Sequence, residues 1–127
     1  MNQVIAIAVG GAAGSVLRYW MSTAVYSSLG RAFPYGTLAV NVLGCLLMGV
    51  LFVVFAERGA SDGVLRAGIL IGVLGGFTTF SAFSMETFIL IEEGALGKAV
   101  LNMAASFVLC IIATWAGVAL ARHAMPQ

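Results

Sequence analysis

The chain has 127 residues, 61% of them apolar and 9% charged, where an ordinary soluble domain carries about 25% charged residues. Six basic and five acidic side chains leave a net charge of +1, so there is neither a polybasic footprint for nucleic acid nor an acidic tail. A soluble enzyme domain, a nucleic-acid binder and a disulfide scaffold are excluded, and the composition describes a small all-α integral membrane protein.

Charges divide the chain into four apolar windows. The first, about residues 3–29, is interrupted only by Arg18. Its leading Met1-Asn2-Gln3 has no Lys or Arg, and the apolar stretch outruns a typical signal-peptide core, so a retained span is expected. The second, 35–56, is uncharged and contains Asn41 and Cys45. The third, 67–91, holds Glu86, and the fourth, 99–121, is again uncharged. Each window is long enough to cross a ~30 Å hydrocarbon core at about 1.5 Å per residue. The connections, 30–34, 57–66 and 92–98, are short, so residues 1–127 read as one four-span domain without an extramembrane part. Cys45 and Cys110 lack metal-ligand or CxxC spacing and read as free thiols, and His123 reads as an interfacial side chain.

With four crossings, the N-terminus, the 57–66 connection and the C-terminus share one side. That side carries Arg58, Arg66 and Arg122, against Arg31 and Lys98 on the other. Three basic residues against two hardly fix an orientation. A chain that inserts both ways can assemble as an antiparallel homodimer about a two-fold axis in the membrane plane. Dual topology is therefore expected, although a small difference also follows simply from having few basic residues.

Small-residue spacing marks tight packing at Gly10 and Gly14, and at Gly68, Gly72 and Gly76. The third window then presents Gly75-Gly76-Phe77-Thr78-Thr79, a poor helix. The expectation is a helix broken near its middle, where freed carbonyls are oxygen ligands suited to a small hard cation. Beyond it, Phe80, Phe83, Ser84 and Thr87 fall on one helical stripe. That stripe fits a lined pathway or ordinary interhelical hydrogen bonding with aromatic filling, and spacing does not choose between them. Asn102, Ser106 and Cys110 share one face of the fourth span. Arg18 and Glu86 are intramembrane charges, candidates for function or for a structural role: pairing, snorkelling, or binding backbone carbonyls. The polar inventory, Asn41, Thr79, Ser81, Ser84, Thr87, Asn102 and Ser106, is rich in donors and poor in carboxylates. It favours an anion or a neutral solute over a cation, and the positive edges of Phe80 and Phe83 can face an anion.

Three ordered segments resemble the Fluc (CrcB-type) fluoride channels. Gly10-Gly11-Ala12-Ala13-Gly14-Ser15-Val16-Leu17-Arg18-Tyr19 is similar to their GGxxGxxxRY opening. Gly36-Thr37-Leu38-Ala39-Val40-Asn41-Val42-Leu43-Gly44 is similar to GTLxVNxxG, and Gly75 to Ser81 with Phe83, Ser84 and Glu86 to GGFTTFSTFSxE. The resemblance implies passive, selective fluoride export from a bacterial inner (plasma) membrane, by an antiparallel homodimer with two pores. It implies that Phe80 and Phe83 line the fluoride path, that Asn41 donates there, and that Ser81 and Thr79 are nearby hydroxyls. It also implies a structural Na⁺ at the dimer centre, held by the carbonyls of Gly75 and Thr78 and not transported. Two departures stand out: Ala82 where the family has a hydroxyl, and Asn102 and Cys110 flanking Ser106 on the fourth span. The competing class is a proton-coupled exporter of the small multidrug-resistance type. It wants a carboxylate in the first span, where this chain has Arg18.

Overall fold

A computed structural model of the chain describes residues 1–59 and 62–125, so the centre of the 57–66 connection lies outside the described residues. The elements are helices throughout: α1 (Asn2–Leu29), α2 (Tyr35–Phe52), α3 (Gly63–Ala67), α4 (Gly75–Phe77), α5 (Phe80–Glu92) and α6 (Leu96–Ala124). A π-helical segment, Val53–Glu57, prolongs α2, and another, Gly68–Leu74, joins α3 to α4. Four helical stretches are long and apolar enough to cross a membrane: Asn2–Leu29, Tyr35–Glu57, Gly63–Glu92 and Leu96–Ala124. The chain is thus an all-α multi-pass membrane protein, as its composition requires. The third and fourth helical stretches outrun their apolar windows because Arg66, Lys98 and Arg122 lie in end turns, where long basic side chains carry their charge to the interface.

Local chemistry sets the turns. Gly30 (φ 80°) and Gly94 (φ 75°) adopt left-handed backbone just beyond α1 and α5, a conformation that costs other residues energy. Asp62 caps α3, its Oδ1 accepting from the Val64 amide at 3.2 Å.

Without a hydrophobic drive between helices in lipid, close packing comes from small residues. Gly10 and Gly14 bring α1 against the third span so closely that a β-carbon would overlap the carbonyl oxygens of Gly68 and Val73. The ridge of Gly68, Gly72 and Gly76 faces back onto Ala6, Ile7 and Gly11 of α1. A second seam joins α2 to α6, where Gly49 meets the Thr114 carbonyl and Gly117 meets that of Leu46. Outward surfaces stay apolar: Phe107 is 71% and Trp115 72% exposed on a single chain. Lipid is the natural cover for such faces.

The third span positions the site. Gly75 and Gly76 are helical, in α4. The non-helical backbone is Thr78 (φ −80°, ψ 155°) and Thr79 (φ −150°, ψ 117°), both extended. The β-branched threonines favour extended backbone, whereas Gly76 is kept for its approach to Gly11 of α1.

Candidate functional site

One of the two extended threonines, Thr79, is clamped by a side chain. Asn41, on α2, accepts from the Thr79 amide through Oδ1 at 2.8 Å and donates from Nδ2 to the Thr79 carbonyl at 2.9 Å. Backbone groups freed inside a membrane need such partners. Thr79 also caps α5, its Oγ1 accepting from the Ala82 amide at 3.2 Å and lying 3.3 Å from the Ser81 hydroxyl. These bonds redirect two amides. The Thr79 amide, which a regular helix would give to the Gly75 carbonyl, goes to Asn41. The Ala82 amide, which would reach the Thr78 carbonyl, goes to Thr79. The carbonyls of Gly75 and Thr78 therefore lose their helical donors. Arg18 stands beside the second of them, its guanidinium 3.4 Å from the Thr78 oxygen.

Arg18 and Glu86 line the same open cavity, about 650 Å³, with Ser15, Ser22, Tyr26, Thr37, Thr79 and Ser81 among its walls. Among the described residues they form no ion pair with each other; Arg18 binds a carbonyl and Glu86 binds hydroxyls. Glu86 Oε1 accepts from Thr37 at 2.8 Å and from Tyr26 at 3.1 Å, while its Oε2 is buried without a partner. Tyr26 and Thr37 are site residues that the sequence reading passed over. The available signal was on α1, where Arg18, Ser22 and Tyr26 repeat every four residues and so share one face.

Phe80 and Phe83 touch, ring centroids 5.3 Å apart at 46°, beside the clamp at the start of α5. Phe80 is 78% exposed on the single chain, and Ser81 and Ser84 are exposed with it. Thr87 turns the other way, buried, accepting from Asn102 Nδ2 at 2.9 Å and donating to the Phe83 carbonyl at 2.7 Å. The expected face of Asn102, Ser106 and Cys110 therefore has separate partners. Asn102 belongs to Thr87, the Cys110 thiol lies against Cys45, and Ser106 is half-buried between them. The structure brings Asn41, Thr78, Thr79, Ser81 and Arg18 together, places the Phe80–Phe83 pair next to them, and keeps Ser106 on a different helix.

Four apolar crossings around a clamped, non-helical stretch and a cavity walled by hydroxyls define a small polytopic membrane protein with a polar site inside the bilayer. Residues 5–118 match the family described as CrcB-like protein, Camphor Resistance (CrcB), and the chain belongs to that family. It is similar to proteins named fluoride-specific ion channel FluC in several bacteria. Identity is 51% over 123 residues with the one from Geobacter sulfurreducens, covering 97% of this chain and 99% of that protein. It is 48% over 120 residues with that of Magnetococcus marinus, covering 94% and 98%. With the Methylococcus capsulatus protein it is 53% over 120 residues, 94% of this chain but 53% of that longer relative, so the chain spans about half of it.

Proposed function

We propose that this protein is a passive, fluoride-selective channel. The observation that carries the reading is the Asn41 clamp on Thr79 with the Phe80–Phe83 pair beside it, in a chain whose relatives bear the name fluoride-specific ion channel. Fluoride is small and strongly hydrated, so a narrow pore must replace its water with donors. Asn41 has a second N–H beyond the one given to Thr79, and the Ser81, Thr79 and Ser84 hydroxyls are further donors. Ring edges of Phe80 and Phe83 add a weak positive field. Neutral donors hold the ion without the trap that a full positive charge would create. Ser106, on a third helix, α6, is a further hydroxyl for the same path.

The working unit in this reading is an antiparallel homodimer with two pores in a bacterial inner membrane. The exposure of Phe80, Ser81 and Ser84 on one chain supports it, since a pore wall open to lipid would conduct nothing. A structural Na⁺ at the dimer centre fits the same geometry. The Gly75 and Thr78 carbonyls have lost their helical donors at the break in the third span, and two copies double that set of hard oxygen ligands. The ion would staple the subunits and neutralise carbonyl dipoles there.

Liposomes loaded with fluoride and containing the protein are expected to release it with no proton gradient, read by a fluoride electrode, while a chloride electrode records negligible leak. Phe80→Leu and Phe83→Leu keep bulk but remove the ring edge, and each is expected to lower the fluoride rate by about tenfold or more, or about 1.4 kcal/mol. Efflux no faster than from empty vesicles rejects the channel. Efflux that requires a proton gradient favours the exporter instead, with Glu86 as its carboxylate.

A further inference from the structure

Cys45 and Cys110 do no work in the reading above, yet the fold sets them face to face. α2 and α6 run parallel. They start together, where Lys98 Nζ donates to the Ala32 carbonyl at 3.1 Å, and end together, where Arg122 pairs with Glu57 at 3.0 and 3.2 Å through Nε. Between those ends, Gly49 packs onto the Thr114 carbonyl. Cys45 lies four residues before Gly49 and Cys110 four residues before Thr114. One helical turn below the crossing, both thiols therefore occupy the same seam. The two thiols are neighbours across it, each half-buried.

We propose that Cys45 and Cys110 form a two-coordinate site for a soft divalent d¹⁰ cation, with mercuric ion as the type ligand. The ligand set selects this chemistry. Among the described residues there is no group of three or more His, Cys, Asp or Glu that could hold a metal, so a tetrahedral zinc site lacks ligands. Two sulfurs suit a soft ion that accepts linear coordination. Charge selects within that group. Each thiol loses its proton, two S–Hg bonds form, and the bis-thiolate complex is neutral. A monovalent soft cation on the same two thiolates leaves a net negative charge in the bilayer, which is costly. Mercuric chloride is itself uncharged and reaches the seam through lipid, releasing two chlorides and two protons as it binds.

The test is intact-mass measurement on reduced, folded protein in detergent, after one equivalent of mercuric chloride per chain and then an excess of a small monothiol. The wild type is expected to gain one mercury less two protons, with no monothiol attached and neither cysteine open to maleimide. Cys45→Ala and Cys110→Ala, with elution profiles matching the wild type, hold mercury through one sulfur only and are each expected to give it up to the monothiol as the soluble bis-thiolate, leaving the remaining cysteine open to maleimide. A wild-type adduct that includes the monothiol, two mercuries per chain, or a mercury joining two chains overturns the proposal.

Discussion

Asn41 sets the local structure at the non-helical turn of the third span. Its amide is a backbone substitute, giving Thr79 the acceptor and donor that a helix would have supplied. Leaving a buried donor or acceptor unpaired costs about 1–3 kcal/mol, and Asn41→Leu strands both at once. That variant is expected to melt at lower temperature and to lose most fluoride efflux. Asn41→Asp separates the two roles. It retains an acceptor for the Thr79 amide, so it is expected to melt closer to wild type. It nevertheless repels an anion and removes the free N–H, so its efflux is expected to fall as far as that of Asn41→Leu. Thermal melting in detergent and liposome flux on the same preparations check both. Equal flux in Asn41→Asp and wild type removes the donor role.

At the scale of the element, most of the helical plan was legible and the partnering of side chains was not. Composition and charge spacing locate four spans because a bilayer admits few alternatives. Glycine spacing pointed to the faces of α1 and the third span that meet. The extended backbone fell on Thr78 and Thr79, with Gly75 and Gly76 helical, because Gly76 is committed to Gly11 across the seam. Sequence spacing sees one helix at a time. It grouped Asn102 with Cys110, whereas the neighbours on α5 and α2 claim them separately. Thr37 is out of its reach for the same reason, and although Tyr26 shares a face of α1 with Arg18, its role also rests on the Glu86 carboxylate of a third helix. Two glycines, one inside the α1 seam and one outside it, give a matched pair of tests. Gly14→Ala places a methyl on the Val73 carbonyl, backbone on both sides, and overpacking of that kind costs about 1–3 kcal/mol. Gly97→Ala on α6 has nothing within 4 Å of the added carbon and exchanges a poor helix former for the best one, a gain of up to about 1 kcal/mol. Melting is expected to fall for Gly14→Ala and to hold or rise for Gly97→Ala.

For the whole molecule, the few charges matter through their placement. One face carries Arg58, Arg66 and Arg122, and the other Arg31 and Lys98. The pairing of Arg122 with Glu57 does not alter this balance, because orientation follows basic residues and not net charge. If the dimer is antiparallel, each orientation alone lacks a partner, and charge becomes a switch for function. Arg31→Gln with Lys98→Gln leaves three basic residues against none and drives one orientation. Arg58→Gln and Arg66→Gln with Ser28→Arg leaves one against three and drives the other. Ser28 is exposed near the end of α1, so an arginine there meets no packed neighbour. Each variant expressed alone is expected to insert, as tag accessibility from a single face will show, yet to give no fluoride resistance to a sensitive host. Expressed together they are expected to restore it, since each supplies the orientation the other lacks. Full resistance from either variant alone would mean that a parallel assembly conducts, and the antiparallel dimer would be rejected.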